Sequence, residues 1–163
     1  MVQRRYSRLP FRVPYVPTPE HVVRKMLELA NVGPDDIVFD LGCGDGRILI
    51  IAAKEFGVKK AVGIEIRPDL VEKARKRVLE ERLGNKVTIY EGDFMDFDIS
   101  EATVVTLYLL TSANMVLRPK LEAELRSGAR VVSHEFEIPG WKPKSVTIID
   151  DGYIRHRIYL YIR

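Results

Sequence analysis

The chain has little of what marks several protein classes. It holds a single cysteine, Cys43, in 163 residues, so an internal disulfide is excluded. Its three histidines, His21, His134 and His156, are scattered without metal-ligand spacing, and we expect no metal site. No apolar run approaches the roughly 20 residues that cross a bilayer. These absences predict a soluble protein that has no membrane partner.

What is present fits one compact domain. The length is close to the roughly 150 residues of a typical domain, and 46% hydrophobic residues suffice for one core. The net charge of +3 is too small to indicate nucleic-acid binding. Residues 1–10 are basic, but no apolar segment follows them, so we expect no secretory signal and a cytoplasmic location.

The chain divides into an extended basic arm, residues 1–17, and a domain, residues 18–163. The arm interleaves four arginines with aromatic residues and shows no helical or strand period. Thr18-Pro19-Glu20 then supplies an N-cap, a proline at the first helical position and an early acid. This pattern predicts a first helix that runs to about Asn31.

Strands and helices alternate along the rest of the chain. Strands are predicted at 37–41, 61–66, 87–90, 102–110 and 129–135, with helices at 48–56, 71–84 and 112–125. Pro119 is expected to kink or divide the last helix. The runs 145–149 and 153–162 flank Asp150-Asp151-Gly152, which predicts an antiparallel hairpin. The sequence thus predicts an α/β fold, a doubly wound Rossmann-like and mostly parallel seven-stranded sheet with a C-terminal antiparallel hairpin.

A glycine loop, residues 40–47, joins the first strand to the second helix. Its Gly-x-Gly-x-Gly spacing is one residue shorter than the dinucleotide fingerprint, and it carries two acids, Asp40 and Asp45. Carboxylates there would repel a pyrophosphate but suit a ligand with an ammonium or sulfonium charge. The loop therefore favours S-adenosylmethionine over NAD.

Two later elements agree with an adenosine ligand. Glu65 ends the second strand about 20 residues after the last loop glycine, where an acid meets ribose hydroxyls. Gly92-Asp93-Phe94 follows the third strand and can place a carboxylate and a ring beside adenine. With these elements in order, the chain resembles the class I S-adenosylmethionine-dependent methyltransferases over residues 18–163.

A narrower resemblance rests on three other groups of residues. They are residues 14–19, residues 107–110 together with 119–121, and residues 131–136 together with Gly140-Trp141. They are similar to the small archaeal protein-lysine methyltransferases, which are related to the mitochondrial lysine methyltransferases of ATP synthase subunit c and the adenine nucleotide translocase. The resemblance implies S-adenosyl-L-methionine as cofactor. It implies a cofactor-binding set: Asp40, Gly42, Gly44, Asp45, Glu65, Ile66, Gly92, Asp93 and Phe94, with Tyr15 and Thr18 closing over the ligand. For Thr18, helix capping is an equal alternative.

The methyl acceptor is expected at the carboxyl edge of the sheet, because methyl transfer from a sulfonium is an in-line displacement beside the glycine loop. Thr106 and Tyr108 are the candidate catalytic residues that orient the amine, and Tyr108, Glu135 and Trp141 are the candidate substrate contacts. The fourth strand lacks the Asn/Asp-Pro-Pro-Tyr motif of many methyltransferases that act on bases or glutamine.

We therefore expect a protein-lysine N-methyltransferase, a monomer of broad specificity that acts on proteins with exposed lysines. The acceptor site should be shallow, because almost no substrate domain is added to the catalytic core. Two alternatives stay open. An RNA methyltransferase would use the basic arm to hold a single strand, and a non-catalytic cofactor-binding subunit would keep the same loop.

Overall fold

The computed structural model describes residues 14–163, so most of the predicted arm lies outside the described residues. Four helices and seven strands follow one another in the order that the sequence predicts. The helices are α1 (Glu20–Leu29), α2 (Arg47–Glu55), α3 (Pro68–Glu80) and α4 (Thr111–Glu124). The strands are β1 (Ile37–Leu41), β2 (Lys60–Glu65), β3 (Val87–Glu91), β4 (Val104–Leu107), β5 (Arg130–His134), β6 (Ser145–Asp150) and β7 (Arg155–Ile162).

All seven strands form one sheet in the order β3-β2-β1-β4-β5-β7-β6. The first five are parallel, and β7 pairs antiparallel with both β5 and β6. Leu41, Leu107 and Ser133 stand side by side in the register. The carboxyl ends of β1, β4 and β5 therefore meet at one edge, and the predicted fold class is confirmed.

Each face of the sheet has its own apolar core, because alternate residues of a strand point to opposite faces. Val38, Val104 and Val132 face α1, α2 and α3 on one side. Phe39 and Val131 pack with α4 and the turn after β3 on the other. The chain is thus a three-layer α/β domain, and no helix among the described residues is long and apolar enough to cross a membrane.

Three predicted boundaries and one predicted helix break need correction. Helix α3 ends at Glu80 rather than near Gly84. Helix α1 ends at Leu29 rather than near Asn31, which has a left-handed φ of 52°. Strand β4 ends at Leu107, because the chain turns into α4 although the apolar run continues to Leu110. Pro119 lies inside α4, which continues through it. Proline has no N–H, so one helical carbonyl loses its donor; because Pro119 is exposed, that carbonyl is on the hydrated side of the helix.

Candidate cofactor and acceptor site

The glycine loop turns sharply at the carboxyl end of β1. Gly42, Gly44 and Gly46 have φ angles of 81°, 56° and 82°, a left-handed region that side chains with a Cβ rarely adopt. Gly46 directly precedes α2, so the free N–H groups of that helix face the loop. The three glycines thus let the chain turn so that α2 begins at the sheet edge where a ligand would lie.

Glu65, the last residue of β2, is tied to this loop. Its Oε1 accepts a hydrogen bond from the Gly44 N–H at 2.9 Å, and its Oε2 accepts one from the Arg67 N–H at 3.0 Å. A carboxylate has about four acceptor sites, so capacity for two ribose hydroxyls remains. The structure therefore fixes Glu65 beside the loop in an orientation that fits the predicted role.

Asp40 is a buried acid without a cationic partner. Its side chain is directed into the protein, the residue is 3% exposed, and among the described residues no ion pair includes it. Burial, with the charges of Glu65 and Asp45 nearby, raises the pKa of Asp40 to about 8 although the Thr106 hydroxyl donates to Oδ1 at 2.9 Å. A ligand cation at this point would supply the charge that Asp40 lacks.

Asp45 differs from Asp40 because its charge is already matched. Its Oδ2 lies 2.8 Å from both Arg47 Nη2 and Arg77 Nη1. Burial raises the pKa of Asp45, but the bonds and charges of the two arginines outweigh it and hold that pKa below 3.8. The two loop acids thus have different environments: Asp45 fastens the loop to α3, and Asp40 is the one left for a cation.

The predicted adenine-binding residues lie at the next strand end. The Gly92 N–H donates to the Glu65 backbone carbonyl at 2.9 Å, which places this turn beside β2. The Asp93 carboxylate accepts from the Met95 N–H at 2.9 Å, and Phe94 is buried in the α4-side core. Ile66 is half-buried immediately after β2. The structure therefore brings Ile66, Gly92, Asp93 and Phe94 to the same edge as Glu65.

Tyr15 covers the loop from the amino-terminal side, and the Thr18 backbone carbonyl accepts a hydrogen bond from Arg47 at the end of the loop. A Cβ on Gly44 would meet Tyr15 Cε2 at 2.6 Å, so the ring rests directly on the glycine. Thr18 does not cap α1: Pro19 occupies the N-cap position, and the Thr18 hydroxyl is hydrogen-bonded to His134 Nδ1 at 3.1 Å. The capping alternative for Thr18 is therefore wrong.

Tyr108 and His134 form a stacked pair at the ends of β4 and β5. Their ring centroids are 4.0 Å apart with 21° between the planes. Burial lowers the pKa of His134 to about 3, with further lowering from His156 and His21, so its imidazole is neutral at pH 7. Burial and the charge of Glu135 raise the pKa of Tyr108, which therefore stays a neutral phenol.

Beside this pair lies a small apolar cavity of about 90 Å³. We call it the Tyr108 cavity, and its lining consists of Pro14, Val16, Tyr108, Leu109, Leu110 and Phe136. Glu135, half-buried and with a left-handed φ of 68°, follows β5 at the same edge. An apolar slot beside a carboxylate suits a side chain that has an aliphatic stem and a cationic end.

Two predicted acceptor residues are not brought to this slot. Thr106 is fully buried in β4, and its hydroxyl is engaged by Asp40, so an incoming amine cannot reach it. Trp141 packs on Tyr161, which pairs with Val131 near the amino end of β5, and its Nε1–H donates to Glu122 at 2.8 Å. Thr106 therefore supports Asp40, and Trp141 anchors a loop at the opposite edge.

Sequence reasoning missed Phe136 as part of the site. Phe136 lines the Tyr108 cavity, and its ring centroid lies 6.3 Å from that of Tyr108. The histidine–tyrosine stack depends on the register between β4 and β5, which places position 108 next to position 134. No spacing along the chain signals such a pairing.

Comparison with known proteins agrees with this geometry. Residues 40–145 match the family described as the ANTKMT methyltransferase domain. The chain is 58% identical over 150 residues to a protein-lysine N-methyltransferase of Saccharolobus islandicus, covering 92% of this chain and 93% of that protein. It is 36% identical over 154 residues to the mouse adenine nucleotide translocase lysine N-methyltransferase, covering 93% of this chain and 66% of the mouse protein.

A solved structure is similar throughout the domain. It is described as an RNA methyltransferase from Salinibacter ruber in complex with S-adenosyl-L-homocysteine. It shares 49% sequence identity with this chain at a TM-score of 0.85, covering 90% of this chain and 93% of that chain. The named relatives thus agree on methyl transfer and differ in the acceptor.

Proposed function

The chain belongs to the family of ANTKMT methyltransferase domains, and on that premise we propose that it is an S-adenosylmethionine-dependent protein-lysine N-methyltransferase. The assignment of lysine as the acceptor rests on the 58% identity to a protein-lysine N-methyltransferase. The match covers 93% of the length of that relative. The family and the bound product in the solved relative make S-adenosyl-L-methionine the cofactor.

The residues at the sheet edge fit that cofactor. S-adenosylmethionine carries the transferable methyl group on a sulfonium, together with an ammonium and a carboxylate. Asp40 would hold one of the positive charges, the first N–H groups of α2 would face the carboxylate, and Glu65 would bind the ribose hydroxyls. The turn at Gly92-Asp93-Phe94 would hold adenine, and Tyr15 would close over the loop.

The acceptor side fits a lysine better than a nucleic-acid backbone. The Tyr108 cavity offers apolar walls to the four methylenes, and Tyr108 presents a neutral ring to the cation. The carboxylate that follows β5 is Glu135; it accepts a hydrogen bond from the Arg157 N–H at 3.2 Å and lies 3.8 Å from the Arg157 guanidinium, and its remaining negative charge would attract an ammonium. Broad specificity follows because the cavity is small and formed at the domain surface.

The amine must lose its proton before it attacks. A lysine with a pKa near 10.4 pays about 4 to 5 kcal/mol to be neutral at pH 7. Burial of the amine between Tyr108 and Phe136 would lower this cost, because desolvation disfavours the ammonium. The chain's contribution is therefore to desolvate and align the amine, and no side chain has to form a covalent bond.

The test compares proteins and RNA as acceptors. The purified full chain is incubated with radiolabelled S-adenosylmethionine and, separately, with total protein and total RNA. We expect label on protein, lost in Asp40→Asn, which is isosteric with the protonated acid. Label on RNA alone would overturn the proposal.

RNA methylation is the second candidate, favoured by one observation. The solved relative that shares 49% identity is described as an RNA methyltransferase. The basic arm that would hold RNA lies largely outside the described residues, and its four arginines fit phosphate contacts. In this case, deletion of residues 1–13 would abolish RNA labelling, and RNA binding of the full chain would weaken steeply with salt.

We also propose that the enzyme acts in the cytoplasm as a monomer. Sedimentation of the untagged chain at several concentrations tests the monomer, which predicts one species near 18.7 kDa.

A further inference from the structure

All three histidines of the chain converge at one place, although the sequence scatters them. His21 lies on the first turn of α1, His134 ends β5, and His156 lies in β7. The His134 Nε2 atom is 2.9 Å from His156 Nδ1, and the His21 and His156 ring centroids are 5.8 Å apart. The hairpin turn adds a carboxylate, Asp151. The methyl-transfer chemistry does not require this convergence.

The Asp151 carboxylate is oriented toward two of the imidazoles. Its Oδ1 accepts hydrogen bonds from the Tyr153 and Ile154 N–H groups at 3.0 and 2.8 Å. Its Oδ2 lies 3.5 Å from His21 Nε2 and 3.4 Å from His156 Nε2. One oxygen thus holds the turn, and the other faces both rings.

The His156 Nε2 atom is buried and makes no hydrogen bond among the described residues, and the His156 side chain is 8% exposed. A buried polar nitrogen without a hydrogen bond is costly, and Asp151 Oδ2 lies 3.4 Å away as an ion-pair contact only. Its environment therefore calls for an additional group between the rings and the carboxylate.

We propose that His21 Nε2, His156 Nε2 and Asp151 Oδ2 form a binding site for a divalent transition metal of the zinc class. In a tetrahedral zinc site with bonds of about 2.0 to 2.1 Å, neighbouring ligand atoms are about 3.3 Å apart. The two nitrogen-to-oxygen distances of 3.4 and 3.5 Å match that spacing. All three ligand atoms lie within 4.8 Å of one another, so a small movement of the exposed His21 completes the set.

A second layer of hydrogen bonds fixes the required tautomers. A metal on His156 Nε2 leaves the proton on Nδ1, which then donates to His134 Nε2. His134 in turn carries its proton on Nδ1 and donates to the Thr18 hydroxyl. Metal-bound histidines in proteins are commonly oriented by such partners. The site would join α1 to the hairpin of β6 and β7, directly behind the Tyr108–His134 stack.

The expectation from sequence that no metal site exists rested on spacing along the chain. Spacing along the chain does not indicate this site, because the three proposed ligands come from α1, the hairpin turn and β7, which meet only in the folded protein. The proposal is independent of the methyl acceptor, and its test needs no methyltransferase activity.

The test uses untagged full chain that has been stripped with a chelator and then titrated with ZnCl2 by calorimetry. We expect one equivalent bound, and a rise in Tm of about 5–10 °C at a free zinc concentration a hundredfold above Kd. Cobalt(II) bound in the same place should show the intense visible absorption of a tetrahedral site. Absence of zinc binding up to millimolar concentration would overturn the proposal and leave a hydrogen-bonded histidine cluster.

Variants locate the site. His21→Ala removes an exposed ligand without disturbing the core, and it should weaken zinc binding at least tenfold, as should His156→Gln. Glu135→Gln is the matched control, because Glu135 is the carboxylate of the neighbouring group formed with His134 and His156. Unchanged affinity in His21→Ala, or loss confined to Glu135→Gln, would contradict the assigned ligands.

Discussion

Binding of the cofactor should release a proton from Asp40. This carboxyl is buried beside Thr106, no ion pair among residues 14–163 includes it, and its pKa is raised to about 8 by burial first and then by the charges of Glu65 and Asp45. A ligand ammonium or sulfonium placed against it favours the ionised form. Asp40 then loses the proton that it holds at neutral pH.

The size of the effect follows from the pKa. At pH 7 a group with a pKa of 8 is about nine-tenths protonated, so roughly 0.9 proton should leave when the pKa falls well below 7. Release should drop to roughly 0.5 proton at pH 8 and nearly vanish at pH 9.5. The shift from 3.8 to about 8 also corresponds to about 6 kcal/mol of folding free energy.

The sign of the stability effect is fixed by that shift. The folded pKa is raised, so the protonated carboxyl contributes fully below the unfolded pKa of 3.8, and the contribution is lost as pH rises toward 8. Asp40→Asn removes this dependence. We therefore expect the variant to be about as stable as the native chain at low pH and more stable at pH 9.

The assay is calorimetry in buffers that differ in ionisation enthalpy. S-adenosylhomocysteine keeps the ammonium but lacks the sulfonium, and methylthioadenosine lacks both, so the three ligands identify the charge that Asp40 meets. Proton release should be absent with methylthioadenosine and with the Asp40→Asn variant. Equal release by all three ligands, or none by S-adenosylmethionine at pH 7, would refute the reasoning.

Three further predictions concern other parts of the domain. Gly44→Ala places a Cβ 2.6 Å from the Tyr15 ring at a φ of 56°. In urea titrations this variant should lower the free energy of unfolding by about 1 to 2 kcal/mol, and adding Tyr15→Ala should recover part of the loss. Tyr108→Phe keeps the stacked ring and should stay active, whereas Tyr108→Ala should lose about 10- to 100-fold in kcat/KM. Arg130→Met breaks the ion pair with the buried Asp36 and should cost about 2 kcal/mol. Burial raises the pKa of Asp36, but accepted hydrogen bonds outweigh it, so this variant should also unfold at a higher pH on acidification.

Much of the fold was predictable because local signals agree with it. The β1 strand, the glycine loop and the hairpin turn were predicted from short patterns, and the structure has all three in place. The exposed Pro119 shows the opposite case: a strong helix-breaking signal is tolerated because the lost hydrogen bond is on the solvent side. The predicted boundaries of helices and strands were wrong where tertiary packing rather than local propensity ends the element, as at Leu107.

The candidate site was predictable only where it depends on one loop. Asp40 and Glu65 lie at the carboxyl ends of β1 and β2, and Gly44 follows β1; these strand ends meet at one edge in any parallel sheet. Trp141 is not brought to the Tyr108 cavity, because its position depends on where a loop crosses the sheet, and it packs on Tyr161. The protonated state of Asp40 is also invisible in the sequence, because it depends on burial.

The central claim is that the methyl acceptor is a protein lysine, and tandem mass spectrometry tests it most directly. Cell protein incubated with the full chain and deuterated-methyl S-adenosylmethionine would be digested and searched for the mass label on each residue type. The account predicts labelled methyl groups on lysine ε-amines, absent when Asp40→Asn replaces the native chain. Label confined to other residues, or to RNA in a parallel incubation, would contradict it.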